Sequence, residues 1–154
     1  MPDSNGPRRE AIRFFEERFG VPREILDGLT FIDRGNEIWA CRSAPPPGID
    51  SVRPPGLRAL RRQGAGLKPT STFLAALGDR VTAARVDLDR AALHQLLLGQ
   101  RIPYPYDAED GHVALCFRRD VLGCGRVRGG LLQALIPTGR RRELLVALAA
   151  DSRD

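Results

Sequence analysis

Residues 44–56 read APPPGIDSVRPPG, with five prolines and two glycines in thirteen positions. Proline fixes φ and removes a backbone donor, so such a stretch forms neither a helix nor a central strand. It divides the 154-residue chain into a first part, 1–44, and a longer part, 57–150, with a linker at 45–56. A small subdomain beside one domain of about 100 residues fits this length. Two full enzyme domains do not.

The first part predicts a helix and a hairpin. Pro7 stands at an early helical position, Ala11, Ile12, Phe15 and Phe19 recur on one face, and Gly20 with Pro22 beyond it stops the helix. LTFIDRGNEIWACR (29–42) places two β-rich runs about the turn signal Arg34-Gly35-Asn36. Trp39, in the second run, is expected to be a core or contact residue.

In the second part, LRALRR (57–62) alternates as a strand, a helix runs from about Pro69 to Leu77 with Gly78 as its stop, and VTAARVDL (81–88) is again a strand. Asp89 is a good N-cap for a helix reaching Leu98, with Gly99 after it. After the turn-rich QRIPYPYDAEDG, HVALCFR and VLGCGRV flank Arg119-Asp120 as a hairpin, LLQALI (131–136) is a third strand, and GRRRELLVALAA closes the chain as a helix with Leu144, Leu145 and Leu148 inward.

DVLGCGRVRGG (120–130) carries four glycines and two arginines, the composition of a phosphate-holding turn. It fits no nucleotide fingerprint. The P-loop lysine is missing, and the glycine after Gly123 and Gly125 falls at 129, one position late for GxGxxG, with LLQALIPTG following where a long helix would be needed. Gly123 and Gly125 lie two apart on one side of a strand, which suits a bend or the close approach of another element. Gly129 and Gly130 suit a tight turn.

Charge is segregated along the chain. The net charge is +5, but residues 51–78 sum to +5 and 111–142 to +6, while 1–50, 79–110 and 143–154 sum to −2 each. Two basic blocks that meet in space would form an electrostatic footprint for a polyanion. Arginine supplies all the positive charges but Lys68, and it suits bidentate phosphate contacts. Cys41, Cys116 and Cys124 are odd in number and widely spaced, and only His94 and His112 could join them, so neither a disulfide framework nor a metal site is expected. No run approaches the roughly 20 apolar residues that cross a bilayer. MPDSNGPRREAIRFF also lacks the apolar core of a signal peptide, so a cytoplasmic chain without a membrane partner is expected.

From residue 57 onward the landmarks fall in a specific order: Lys68-Pro69 opening a helix, Gly99 closing AALHQLLLG, Gly111 opening a strand, then Leu122-Gly123, Gly125, Arg126, Gly129-Gly130 and Pro137. Over about 57–142 this resembles the C-terminal RNA-binding PUA-like domain of the Sun-type RNA cytosine-5 methyltransferases. The resemblance implies an α+β fold. A PUA-like β-barrel of five or six strands with two packed helices would follow a small N-terminal α/β subdomain similar to those preceding PUA domains in RNA-processing proteins. The family commonly places lysine, asparagine and a further lysine where this chain has Gln133, Ala134 and Thr138, with Arg140 to Arg142 as substitutes.

The resemblance implies a module for structured rRNA or tRNA, acting in RNA modification or ribosome assembly. The RNA-binding residues would be Arg61, Arg62, Lys68, Arg118, Arg119, Gly123, Gly125, Arg126, Arg128, Arg140 and Arg141, the glycines admitting a ribose edge. These residues hold neither an S-adenosylmethionine-binding sheet nor the catalytic cysteine motif, so a non-enzymatic role without a cofactor is expected. An alternative from another class is a protein adaptor for an RNA methyltransferase or a ribosome assembly factor, with an apolar patch around Trp39, Tyr104 and Tyr106. A nucleotide-using enzyme would rest on the glycine loop alone.

Overall fold

The structure is a computed structural model and describes residues 5–42 and 56–151, so the linker expected at 45–56 lies, but for Gly56, outside the described residues. The first helix, α1 (Gly6–Phe19), buries the predicted face Ala11, Ile12, Phe15 and Phe19 and ends on Gly20 in the left-handed region, φ 61°. A short helix α2 (Arg23–Asp27), not anticipated, leads into β1 (Thr30–Asp33) and β2 (Glu37–Cys41), the expected hairpin.

Strand β3 (Leu57–Gln63) and β4 (Gly66–Pro69) do not enter a barrel. They extend the hairpin into a four-stranded antiparallel sheet, β1-β2-β3-β4, so one sheet draws strands from both sides of the expected linker. The reason is the apolar content of β3: Ala59 and Leu60 are fully buried in the cluster that α1 fills with Phe15 and Phe19. Pro69, expected inside the next helix, instead ends β4, and α3 (Ser71–Leu77) starts after it with Thr70 as N-cap, whose hydroxyl accepts from the Phe73 N–H at 3.1 Å. Phe73 then packs on Phe15, ring centroids 5.0 Å apart.

The second sheet is mixed and five-stranded, in the order β5-β7-β8-β9-β6: β5 (Arg85–Asp87), β6 (Ile102–Pro103), β7 (Gly111–Phe117), β8 (Asp120–Arg128) and β9 (Leu131–Ala134). The parallel pair β5 and β7 requires a crossover, and α4 (Arg90–Leu97) supplies it, with the Asp89 carboxylate accepting from the Ala92 N–H at 2.8 Å as the sequence predicts. The final helix α5 (Thr138–Ala150) packs on α4 and buries Leu148, with Leu144 and Leu145 half-buried beside it. The sheet curls into a half-barrel with β5 and β6 as its edges, an α+β PUA-like fold.

Strand alternation makes this curled sheet a wall between two cores. Ala114, Cys116 and Cys124 face the first core with α1, α3 and the first sheet, and Val113, Leu115, Val127 and Leu132 face the second with α4 and α5. The β7–β8 turn is Arg118-Arg119, one residue earlier than expected, both at positive φ (49° and 74°), and Gly129-Gly130 make the expected tight turn at φ 55° and 78°.

Candidate nucleic-acid interface

The face of the curled sheet that meets the first core runs out past it, and there its side chains turn from apolar to polar. His112 on β7 lies opposite Arg126 on β8, which lies opposite Gln133 on β9. From the first sheet, Lys68 on β4 pairs across to Arg61 on β3. From α1, the Arg18 Nε donates to the His112 carbonyl oxygen at 2.8 Å. The two basic blocks therefore meet. A groove of about 400 Å³ separates Gln63, Gly66 and Leu67 from His112, Arg126 and Arg128, and a smaller cleft of about 110 Å³ joins Arg58, Arg61 and Lys68 to Leu135 and Pro137. Asp110, at the groove's edge, accepts from the Gly129 N–H at 3.0 Å.

His112 registers this convergence. Burial, then the charges of Arg126, Lys68 and Arg18, push it from its ordinary value of 6.5 down to about 4. The unfolded chain protonates this imidazole near 6.5 and the folded chain only near 4, so between those values the unfolded state holds the extra proton. Stability is therefore expected to fall as the pH drops through that window, by about 1–2 kcal/mol once partial exposure is discounted. Denaturant midpoints at pH 7.5 and 4.5 should separate more for the parent than for His112→Gln. Equal separations would remove His112 from this account.

The other expected contact residues do not join the group. Arg62 points to the opposite face of β3 and is held by Glu10 at 2.6 Å and Asp33 at 3.6 Å. Arg118 pairs with Asp151 and lies 4.8 Å over the Phe117 ring, and the Arg119 carbonyl accepts from Arg85. That turn is roughly 20 Å along β8 from Arg126. Arg140 pairs with Glu143 at 2.9 Å, and Arg141 donates to the Thr138 hydroxyl at 3.1 Å; both open α5 just beyond Pro137.

Gly123 and Gly125, expected to admit a ribose edge, are buried and leave no room for one. A Cβ on Gly123 would lie 2.7 Å from Ile136 Cγ1 and 2.8 Å from Ser71 Oγ, and one on Gly125 would lie 2.7 Å from Leu115 Cδ2. Close approach of other elements, one of the two roles predicted for this pair, is what the structure uses them for. Ser71 Oγ accepts from the Cys124 N–H at 2.9 Å, which seats α3 on β8.

The cysteines are strand residues. Burial pushes the Cys124 thiol up to about 12 and raises that of Cys116, so neither is a thiolate at neutral pH. The aromatic residues do not form one patch. The Trp39 indole donates to Glu37 at 2.9 Å in the first sheet, Tyr104 packs on the second core, and Tyr106 is 88% exposed by the Gly130 turn.

Three members of the interface carry no signal in the sequence: Arg18, Arg101 and His112. Arg18 and His112 are 94 positions apart and are brought together by the fold, where the Arg18 guanidinium reaches the His112 carbonyl. Arg101 closes a cleft with Arg126, Arg128, Leu131 and Gln133.

Residues 83–142 match the family model of the methyltransferase RsmF PUA domain, a span that takes in β5 to β9, α4 and the first turn of α5. No curated protein matches the chain. The order of landmarks, the half-barrel and this match agree: over 83–142 the chain is similar to the PUA domain of the methyltransferase RsmF.

Proposed function

We propose that the protein binds structured RNA, an rRNA or a tRNA, in the service of RNA modification or ribosome assembly in the cytoplasm. The observation that carries this reading is the meeting of Lys68 and Arg126 at His112, with Arg18 as a third cation. Two basic blocks that are separated by an acidic stretch in the sequence come together about His112, with Arg58, Arg61 and Lys68 lining one cleft and Arg126 and Arg128 a groove. Cations that α1, β4 and β8 bring to one imidazole can track a phosphate backbone, whereas a merely solvated basic surface has no reason to collect them. The PUA match supports RNA as the polyanion.

Arg61, Lys68, Arg126 and Arg128 carry the contact in this reading, with Arg18 and Arg101 added to the residues expected from sequence. Neutralising about five phosphates gives a log–log salt slope of roughly −3 to −5. Anisotropy of a labelled tRNA or rRNA hairpin between about 50 and 200 mM salt measures it. Affinity indifferent to salt would overturn the reading, and a stoichiometric protein partner that survives nuclease treatment would favour the adaptor instead.

A further inference from the structure

Beyond His112 the same face of the curled sheet holds a second cleft, which shares Arg126 and Arg128 with the groove. Ile102 pairs with Leu132, so Arg101 comes opposite Gln133 by register, and Gln133 is opposite Arg126. Arg101, Gln133, Arg126 and His112 thus form one row across β6, β9, β8 and β7. In the adjoining row Arg128 faces Leu131. Arg101, Arg126, Arg128, Leu131 and Gln133 line a cleft of about 210 Å³.

Among the described residues, none of these three guanidiniums has an ion pair or hydrogen-bond partner, and neither does the Gln133 amide. Arg23, Arg58, Arg62, Arg90 and Arg118 all sit against carboxylates. Three cations converging on one small cleft repel one another unless an anion lies between them. Guanidinium groups match phosphate oxygens bidentately. A bare phosphate would use only the cations. The amide of Gln133 and the side chain of Leu131, 40% exposed, offer hydrogen bonds and an apolar surface to whatever the phosphate carries.

We propose that this cleft takes one nucleotide of an unpaired RNA segment, its phosphate between Arg101, Arg126 and Arg128, its base face on Leu131 and its base edge on Gln133. A glutamine amide pairs bidentately with the N6/N7 edge of adenine, so adenine is the base it takes. Such an edge is open to a side chain in a loop, bulge or end and closed in an A-form helix. The inference rests on the RNA-binding reading and narrows it to an unpaired adenosine within or beside the structured element.

The test titrates the full chain with inorganic phosphate and with the four nucleoside 5′-monophosphates, followed by NMR shifts of residues in β6, β8 and β9. AMP is expected to bind about five-fold tighter than phosphate or UMP, the low end of what a bidentate base contact contributes. Arg101→Ala should weaken every nucleotide about five-fold, and Gln133→Ala should erase the preference for AMP while leaving the affinity for phosphate unchanged. Gln133→Glu, of the same shape, repeats the test should the alanine variant fold poorly, and must likewise lose the preference.

AMP binding no better than phosphate, or a base order that survives both Gln133 variants, overturns the proposal. If that happens while tRNA still binds with the salt slope given above, the cleft assignment alone fails. If neither RNA nor any nucleotide binds, the RNA-binding reading fails with it.

Discussion

Replacing Arg126 and Arg128 together by alanine is expected to lower the affinity for structured RNA about 30-fold at physiological salt and to flatten the salt slope by about 2. The size follows from two lost phosphate contacts, each worth nearly one unit of slope. Both side chains are exposed on β8 and neither is held by a carboxylate among the described residues, so the fold loses no ion pair when they go. The removal also relieves the mutual repulsion of the Arg101, Arg126 and Arg128 guanidiniums about their shared cleft. Thermal stability should therefore be unchanged or slightly raised. Arg62→Ala is the matched control, because Arg62 is tied to Glu10 and Asp33 on the other face of β3 and should leave RNA affinity where it was. Anisotropy titrations of the three proteins decide the matter. Loss of RNA binding equal in Arg62→Ala and the double variant would return the basic groove to a purely structural role.

Gly123→Val is expected to destabilise the protein by about 3 kcal/mol without touching the basic groove. The first added carbon would already lie within 2.9 Å of Ile136 Cγ1, Ser71 Oγ and Ser71 Cβ. Ile136 and Ser71 are themselves buried at 4% and 7% exposure, so neither can swing away. Overpacking accounts for part of the cost, and displacement of the Ser71 hydroxyl from the Cys124 N–H accounts for the rest. For a chain of this size the midpoint of thermal unfolding should drop by roughly 6–12 °C. Gly139→Ala, where an added Cβ meets nothing within 4 Å, serves as the comparison and should not lower the midpoint. A Gly123→Val protein as stable as the parent would mean that α3 is not seated on β8 through this contact.

Much of the local structure was legible from residue types alone. Phe15, Phe19 and the Gly20 stop define α1, Asp89 caps α4, and Gly129-Gly130 turn β8 into β9, because each of these depends on neighbours a few positions away. The short strands β4 and β6 escaped notice because one ends in Pro69 and the other is Ile102-Pro103, and proline speaks against a strand except at an edge. Both are edge strands, β4 of the first sheet and β6 of the second.

The candidate site was legible only in part. Lys68, Arg61, Arg126 and Arg128 stood out by type and by block, but so did Arg62 and Arg118, whose carboxylate partners come from distant parts of the chain, Arg119, which lies in the far β7–β8 turn, and Arg140, which pairs locally with Glu143. One residue's shift along β3 separates Arg61 in the cleft beside Lys68 from Arg62 in an ion pair, since successive side chains point to opposite faces. Which face is the groove depends on where the sheet lies.

By itself the sequence determined α1, α3, α4 and α5, the β1–β2 and β7–β8 hairpins, the glycine turns, the segregation of charge and the order of landmarks that marks the PUA-like fold. Only the tertiary structure decided that β3 and β4 complete the N-terminal sheet, that Lys68 meets Arg126, that Arg18 reaches His112 across 94 residues, and that Arg101 closes a cleft over Gln133. The physical reason is range. Caps, turns and amphipathic periods are settled by forces between near neighbours in the chain, whereas the pairing of sheet edges and the meeting of like charges are settled by which apolar faces must be buried together, and that choice is made by the whole chain at once.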